Sequence, residues 1–155
     1  MADVKDLEPY VSNEKGLVDV LIDFKSTMPN PIVFKVVGYQ ALAFEDVTQG
    51  DALYSRASDG KVGKAIANGT LDQATVAGFA ETTVTSGNQV RAIVSGQVAV
   101  AQTLDAGDLF FLSASQAGQI VKTPPSTSGQ YVTPVGEAPN TSELIVRIKR
   151  PIRLG

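Results

Sequence analysis

The chain contains no histidine, no cysteine and no tryptophan. Without histidine it lacks the commonest general base and the commonest metal ligand together. Without cysteine it can form neither disulfides nor thiolate sites, and cysteine usage says nothing of its redox compartment. Charge is also scarce, at 19% of residues against the roughly 25% usual for soluble domains. A surface so poor in charge exposes small, neutral and apolar groups, which favours a chain partly covered by copies of itself or by a partner. The net charge of −3 argues against nucleic acid as a partner, because that needs a basic footprint to displace counterions. No apolar run approaches the roughly 18 residues of a membrane span, and the opening "MADVKDLEPY" lacks the basic-then-apolar layout of a secretory leader. The composition therefore points to a soluble protein made in a cytoplasm, with no membrane partner.

What is present is β chemistry. Glycine, serine, threonine and valine are frequent, and glycine and proline interrupt short apolar runs about every ten residues. That layout predicts an all-β fold, a small sandwich or barrel, and 155 residues suffice for one domain or one domain with an arm. "VDVLIDF" alternates cleanly, with Val18, Val20, Ile22 and Phe24 on one face and Asp19 and Asp23 on the other. "IVFKVVGY", residues 32–39, is nearly continuous and predicts a buried strand. Further strands are expected in "ALYSRA", "KVGKAIA", "TVAGFAET", "QVRAIVSG", "QVAVAQ", "DLFFLSA", "QIVKT", "TPVGEA" and "ELIVRIKR". Helical periodicity is not sustained; the best stretch, Asn13 to Lys25, is weakened by Gly16 and its β-branched residues.

Two stretches repeat one another. "GDALYSRASDGKVGKA" from Gly50 and "GDLFFLSASQAGQIVKT" from Gly107 both open on Gly-Asp, run through an apolar patch and turn at a glycine. "VAGFA" (Val76 to Ala80) then matches "PVGEA" (Pro134 to Ala138), and "QVRAIV" matches "LIVRI". The offsets stay between 54 and 58 residues. Four matches in one order predict an internal duplicated β unit, with pseudo-repeats at about 47–97 and 104–149. Residues 1–40 fall outside it and are expected to form an extended N-terminal arm or attachment segment, leaving 41–155 as the β domain.

The two ends differ in charge. Residues 1–25 carry six acidic and three basic side chains, whereas "RIKRPIRLG" carries four basic and none acidic. Pro29 and Pro31 enforce an extended link after the leading segment. Three roles remain open for Arg147, Lys149, Arg150 and Arg153. They can contact phosphate, they can decorate the solvent face of a strand, or they can meet the acidic leading segment of a neighbouring copy. With Val18, Val20, Ile22 and Phe24 they form the candidate partner-contact set.

Catalytic signatures are missing. Serines have no histidine partner, and no motif sets Lys61, Lys64 or Lys122 beside one on a rigid element. Asp59-Gly60 and the Asp105–Asp108 turn lack the carboxylate density of a calcium loop. "DGKVGK" lacks the glycine order of a phosphate loop and a following helix. No catalytic residue, metal site or cofactor is assigned.

The series of glycine turns and apolar strand positions from "GDALYSRASDGKVGKAIA" through "VAGFAETTVTSGNQVRAIVSGQVAV" and "DAGDLFFLSASQAGQIVKTPP" to "YVTPVGEAPNTSELIVRI" resembles tailed-bacteriophage virion proteins. It is most similar to the capsid decoration (cement) and head-fibre group, over about residues 47 to 149. The resemblance implies a structural role without catalysis. It also implies a homotrimer bound to the major capsid protein on the virion's outer capsid surface, after synthesis in the host cytoplasm. Tail-fibre and baseplate proteins use similar small β domains, and a host-glycan-binding module is the expectation from a different class. The missing tryptophan and the few aromatic residues weigh against the last.

Overall fold

In a computed structural model, residues 35–155 are described, and they belong to one compact unit. Val18, Val20, Ile22 and Phe24 lie outside the described residues. The fold is nearly all β: a curled antiparallel sheet forms a half-barrel, as the glycine-punctuated pattern predicts. The strands are β1 (Val37–Leu42), β2 (Ala52–Ser55), β3 (Val62–Lys64), β4 (Gly78–Ala80) and β5 (Gln89–Ala99), followed by β6 (Leu109–Leu112), β7 (Ile120–Val121), β8 (Tyr131–Val132), β9 (Pro134–Glu137), β10 (Glu143–Val146) and β11 (Ile152–Arg153). Between β3 and β4 sits a one-turn helix, α1 (Leu71–Ala74). Thr70 and Gln73 close a capping box around its start, which satisfies amide donors that so short a helix cannot.

The main sheet runs β3-β2-β4-β5-β10-β9-β6-β7, with β1 added to β5. Its first four strands and its last four mirror one another about the β5–β10 pair. Corresponding backbone bonds recur. Gly50 N–H donates to the Ala80 carbonyl at 2.8 Å and Ala80 N–H to the Asp51 carbonyl at 2.9 Å. Gly107 N–H likewise donates to Ala138 at 2.7 Å, and Ala138 N–H to Asp108 at 3.1 Å. The two Gly-Asp stretches thus hold matching places in two four-stranded units.

The units use opposite faces. In the first, Ala52, Tyr54, Phe79 and Ile93 enter the main core, while Leu53, Ala80, Val90 and Ala92 enter a second cluster. In the second unit, Leu109 and Glu137 stand where Ala52 and Phe79 stand, yet Phe110, Leu112, Ala138 and Leu144 fill the main core. Calling the Ala52 side face A and the Leu53 side face B, the main core is face A of one unit against face B of the other. Face B of the first unit is closed by Ala43 and Val47 with Ala41 alongside.

The curled sheet is stitched where its ends approach. Ala52 N–H donates to the Gly118 carbonyl and Gly118 N–H to Ala65, each at 2.8 Å, and Ala67 N–H donates to Ser113 at 2.9 Å. Such bonds occupy backbone groups that an open edge leaves unpaired. The buried Thr133 hydroxyl donates to the Ala74 carbonyl at 2.8 Å, tying α1 to the β8–β9 junction.

Three local expectations change. "QVRAIVSG" and "QVAVAQ" form one strand, because β5 exchanges partners instead of ending: β1 and β4 flank its first part, β10 its last. Of the stretch expected to be buried, Val36, Val37 and Tyr39 are exposed, since β1 pairs only with β5 among the described residues and offers its sides to solvent. Residues 37–40 accordingly pair with the sheet. Gly60 and Gly118 occupy matching hairpin turns at φ +74° and +82°, but a Cβ at Gly60 meets nothing while one at Gly118 sits 2.9 Å from Asp51 Cγ. Gly60→Ala should therefore cost only the left-handed penalty of about 1–2 kcal/mol. Gly118→Ala should cost about 1–3 kcal/mol more from overpacking, as compared by urea denaturation midpoints.

Candidate interaction surface

Strand β6 follows the Gly107-Asp108 turn and alternates as a strand must. Phe110 and Leu112 point into the core, so Leu109 and Phe111 point out. On the first unit the matching positions are Ala52 and Tyr54, both buried. On the second, Leu109 is 61% exposed and Phe111 is only partly covered. Ile145, half-buried opposite Glu137, takes the place of Ile93. Among the described residues, face A of the second unit is thus less covered than face A of the first, with Leu109 exposed and Phe111 and Ile145 partly buried beside Glu137.

A groove of about 400 Å³ runs beside Leu109 and Phe111, bounded by Pro134, Glu137, Arg147 and Lys149. Arg147 donates to Glu137 Oε2 at 3.0 Å. A shallower depression adjoins it on the other side of Leu109, reaching Asp108 and Lys122. There Lys122 Nζ lies 2.8 Å from Asp105 and 3.4 Å from Asp108, and these carboxylates raise the lysine pKa. All these pairs are at least one-third exposed, so they contribute little stability and chiefly set the charge of the two flanks.

Of the residues the sequence singled out, the structure brings Arg147 and Lys149 to this groove. Both lie just past β10, where Arg147 N–H bonds the Val135 carbonyl and Lys149 N–H the Pro134 carbonyl. Arg150 and Arg153 are exposed but do not line the groove, and Arg153 belongs to the separate β8–β11 ribbon. Leu109, Phe111 and Pro134 were missed. The available signal was the difference between "ALYS" and "LFFL", in which Leu109 replaces the smaller Ala52 and Phe111 lacks the hydroxyl of Tyr54.

A second cleft of about 460 Å³ is lined by Gln49, Glu81, Thr82, Arg91 and Gln97 around Ile93. Three of its polar side chains are already engaged: Arg91 pairs with Glu81 at 3.2 Å, and Gln49 Nε2 donates to the Glu81 carbonyl at 3.2 Å. No aromatic ring lines it to stack against a sugar face. Among the described residues no cluster of carboxylates is placed to hold a metal, and no helix is long and apolar enough to cross a membrane.

Two carboxylates depart from their ordinary behaviour. Exposed Asp59 accepts from Arg56 at 2.6 Å, and this bond above all lowers its pKa to about 2. Asp51, 4% exposed, lies under the Gly118 turn and accepts from Thr48 N–H at 2.8 Å. Burial raises its pKa; the Thr48 bond and Lys64 oppose the rise, and Glu45 adds to it.

No protein-family model matches the chain, and no curated protein matches it significantly.

A raised carboxyl pKa means the fold favours the protonated form. That contribution is complete below the unfolded value near 4 and is lost as pH rises through the folded value. Asp51→Asn keeps an acceptor for Thr48 but removes the titration. Urea unfolding should show wild-type stability falling relative to the variant as pH rises above the unfolded value near 4; parallel pH profiles would contradict this account of Asp51.

Proposed function

We propose that the chain is a structural virion protein of a tailed bacteriophage. It decorates the outer surface of the capsid as a homotrimer and stabilises the shell by bridging major capsid subunits. The observation that carries this reading is the outward face of β6, where Leu109 is 61% exposed and Phe111 partly buried between two charged flanks. Such a face favours burial against another protein; covering a leucine side chain is worth about 1.5–3 kcal/mol when complete. The likeness of the doubled glycine-turn pattern to capsid decoration and head-fibre proteins supplies the identity of that setting.

The mechanism is mass action. A protein that binds the assembled shell and not its separated subunits shifts the equilibrium toward the shell by RT ln(1 + [L]/Kd), about 2.7 kcal/mol at a hundredfold excess over Kd. No nucleophile, metal or cofactor enters that mechanism. Attachment to the shell is assigned to the leading segment, whose alternating Val18, Val20, Ile22 and Phe24 suit strand addition to an open sheet edge.

Antibody-gold labelling of intact virions tests the location: label over the capsid is expected, and label confined to tail or baseplate overturns the decoration reading. Deleting residues 1–25 should abolish binding to isolated capsids while the circular dichroism of the β domain persists. Full binding by the deletion variant would refute the role given to the leading segment.

A further inference from the structure

We infer that face A of the second unit is the contact between copies of this chain, three of which surround a common axis with Leu109 and Phe111 turned toward it. In this arrangement the Asp105–Asp108–Lys122 flank of each copy meets the Arg147–Lys149 flank of the next. The inference deepens the trimeric reading above and rests on it, but it assigns the open face to another copy and leaves shell binding to other parts of the chain.

The chain itself supplies the precedent. Face A of the first unit is covered by face B of the second, so a face of this design already packs on a copy of its own unit. The same in-line stacking cannot continue between chains, because face B of the first unit is closed by Ala43 and Val47. Face A of the second unit is the face left over, and on β6 Leu109 stands where the first unit has the smaller Ala52, with Phe111 in the place of Tyr54. A face that only water was to meet would gain nothing from Leu109 and Phe111 where a small or polar residue serves.

Charge selects a second copy as the occupant. One flank carries Asp105, Asp108 and Lys122, two negative and one positive, for a net −1. The other carries Glu137, Arg147 and Lys149, one negative and two positive, for a net +1. The two flanks border opposite sides of one apolar strip. A rotation that sets one flank against the other satisfies both at once, and a closed ring leaves no flank unmatched. Opposite charge at the rim of an apolar contact fixes register and excludes other orientations.

The test is sedimentation velocity on the purified full chain at low salt, where rim charges are least screened. Wild type should sediment as a trimer. Leu109→Glu, at a position already 61% exposed, should fold normally by circular dichroism and raise the dissociation constant by about a hundredfold or more, as expected when a central apolar anchor becomes charged. Lys149→Glu and Asp105→Lys should each weaken association by about fivefold or more. Their combination should return it to within about threefold of wild type, a coupling that a general loss of stability cannot produce. A wild type that stays monomeric at high micromolar concentration overturns the inference. So does a trimer that Leu109→Glu leaves intact, or charge variants that add instead of compensating. Capsid labelling with a monomeric wild type defeats this inference and the trimeric part of the reading above but leaves the capsid location standing, whereas a trimer built as described that fails to label capsids defeats the decoration reading and leaves the interface standing.

Discussion

Phe79, Tyr54 and Ile93 of one β unit share a core with Phe110, Leu112 and Leu144 of a second unit written in nearly the same order. Each unit alone is a small sheet whose core-facing side stays uncovered unless the other unit packs on it. Facing one unit with the opposite side of the other supplies that cover. It also brings the ends of the curled sheet together, where Gly118 bridges Ala52 and Ala65 and rests on Asp51. The buried carboxylate under that turn is a consequence of the closure. It holds the Thr48 amide, at an energetic cost that grows as the carboxyl ionises.

Using unlike faces of like units has a second consequence. Two units present four faces; one contact consumes two, and the segment through Ala43 and Val47 covers a third. The fourth remains on β6, with Leu109 at its crest and ion pairs on either side. A chain with so few charges, assembled this way, presents a contact surface as a direct product of its own core arrangement.

Much of this was legible in the sequence. The Gly-Asp turns, the matched hairpin glycines and the all-β layout follow from turn chemistry and period-2 patterning. Arg147 and Lys149 could be placed on an exposed strand end because Leu144 and Val146 alternate against them. The choice of faces was not legible, because "LFFL" is apolar on both sides and alternation cannot say which side meets the core. The continuity of β5 was hidden for a related reason: Gly96 reads as a strand break, but the strand only changes neighbours there. Val36 and Val37 read as buried because they are β-branched and consecutive, yet both are exposed where β1 begins, a strand paired with β5 alone among the described residues. Leu109, Phe111 and Pro134 come together across β6 and β9, and only the pairing register brings them to one groove.

The shared core is the central claim, and native-state hydrogen exchange tests it most directly. If the two units stand only by covering each other, Ala52 and Ala80 of the first and Leu112 and Ala138 of the second should exchange through the same global opening, with equal free energies and equal denaturant dependence. Exchange of Leu112 and Ala138 at a much lower free energy, while Ala52 and Ala80 remain protected, would show that the first unit stands without the second and would contradict the account.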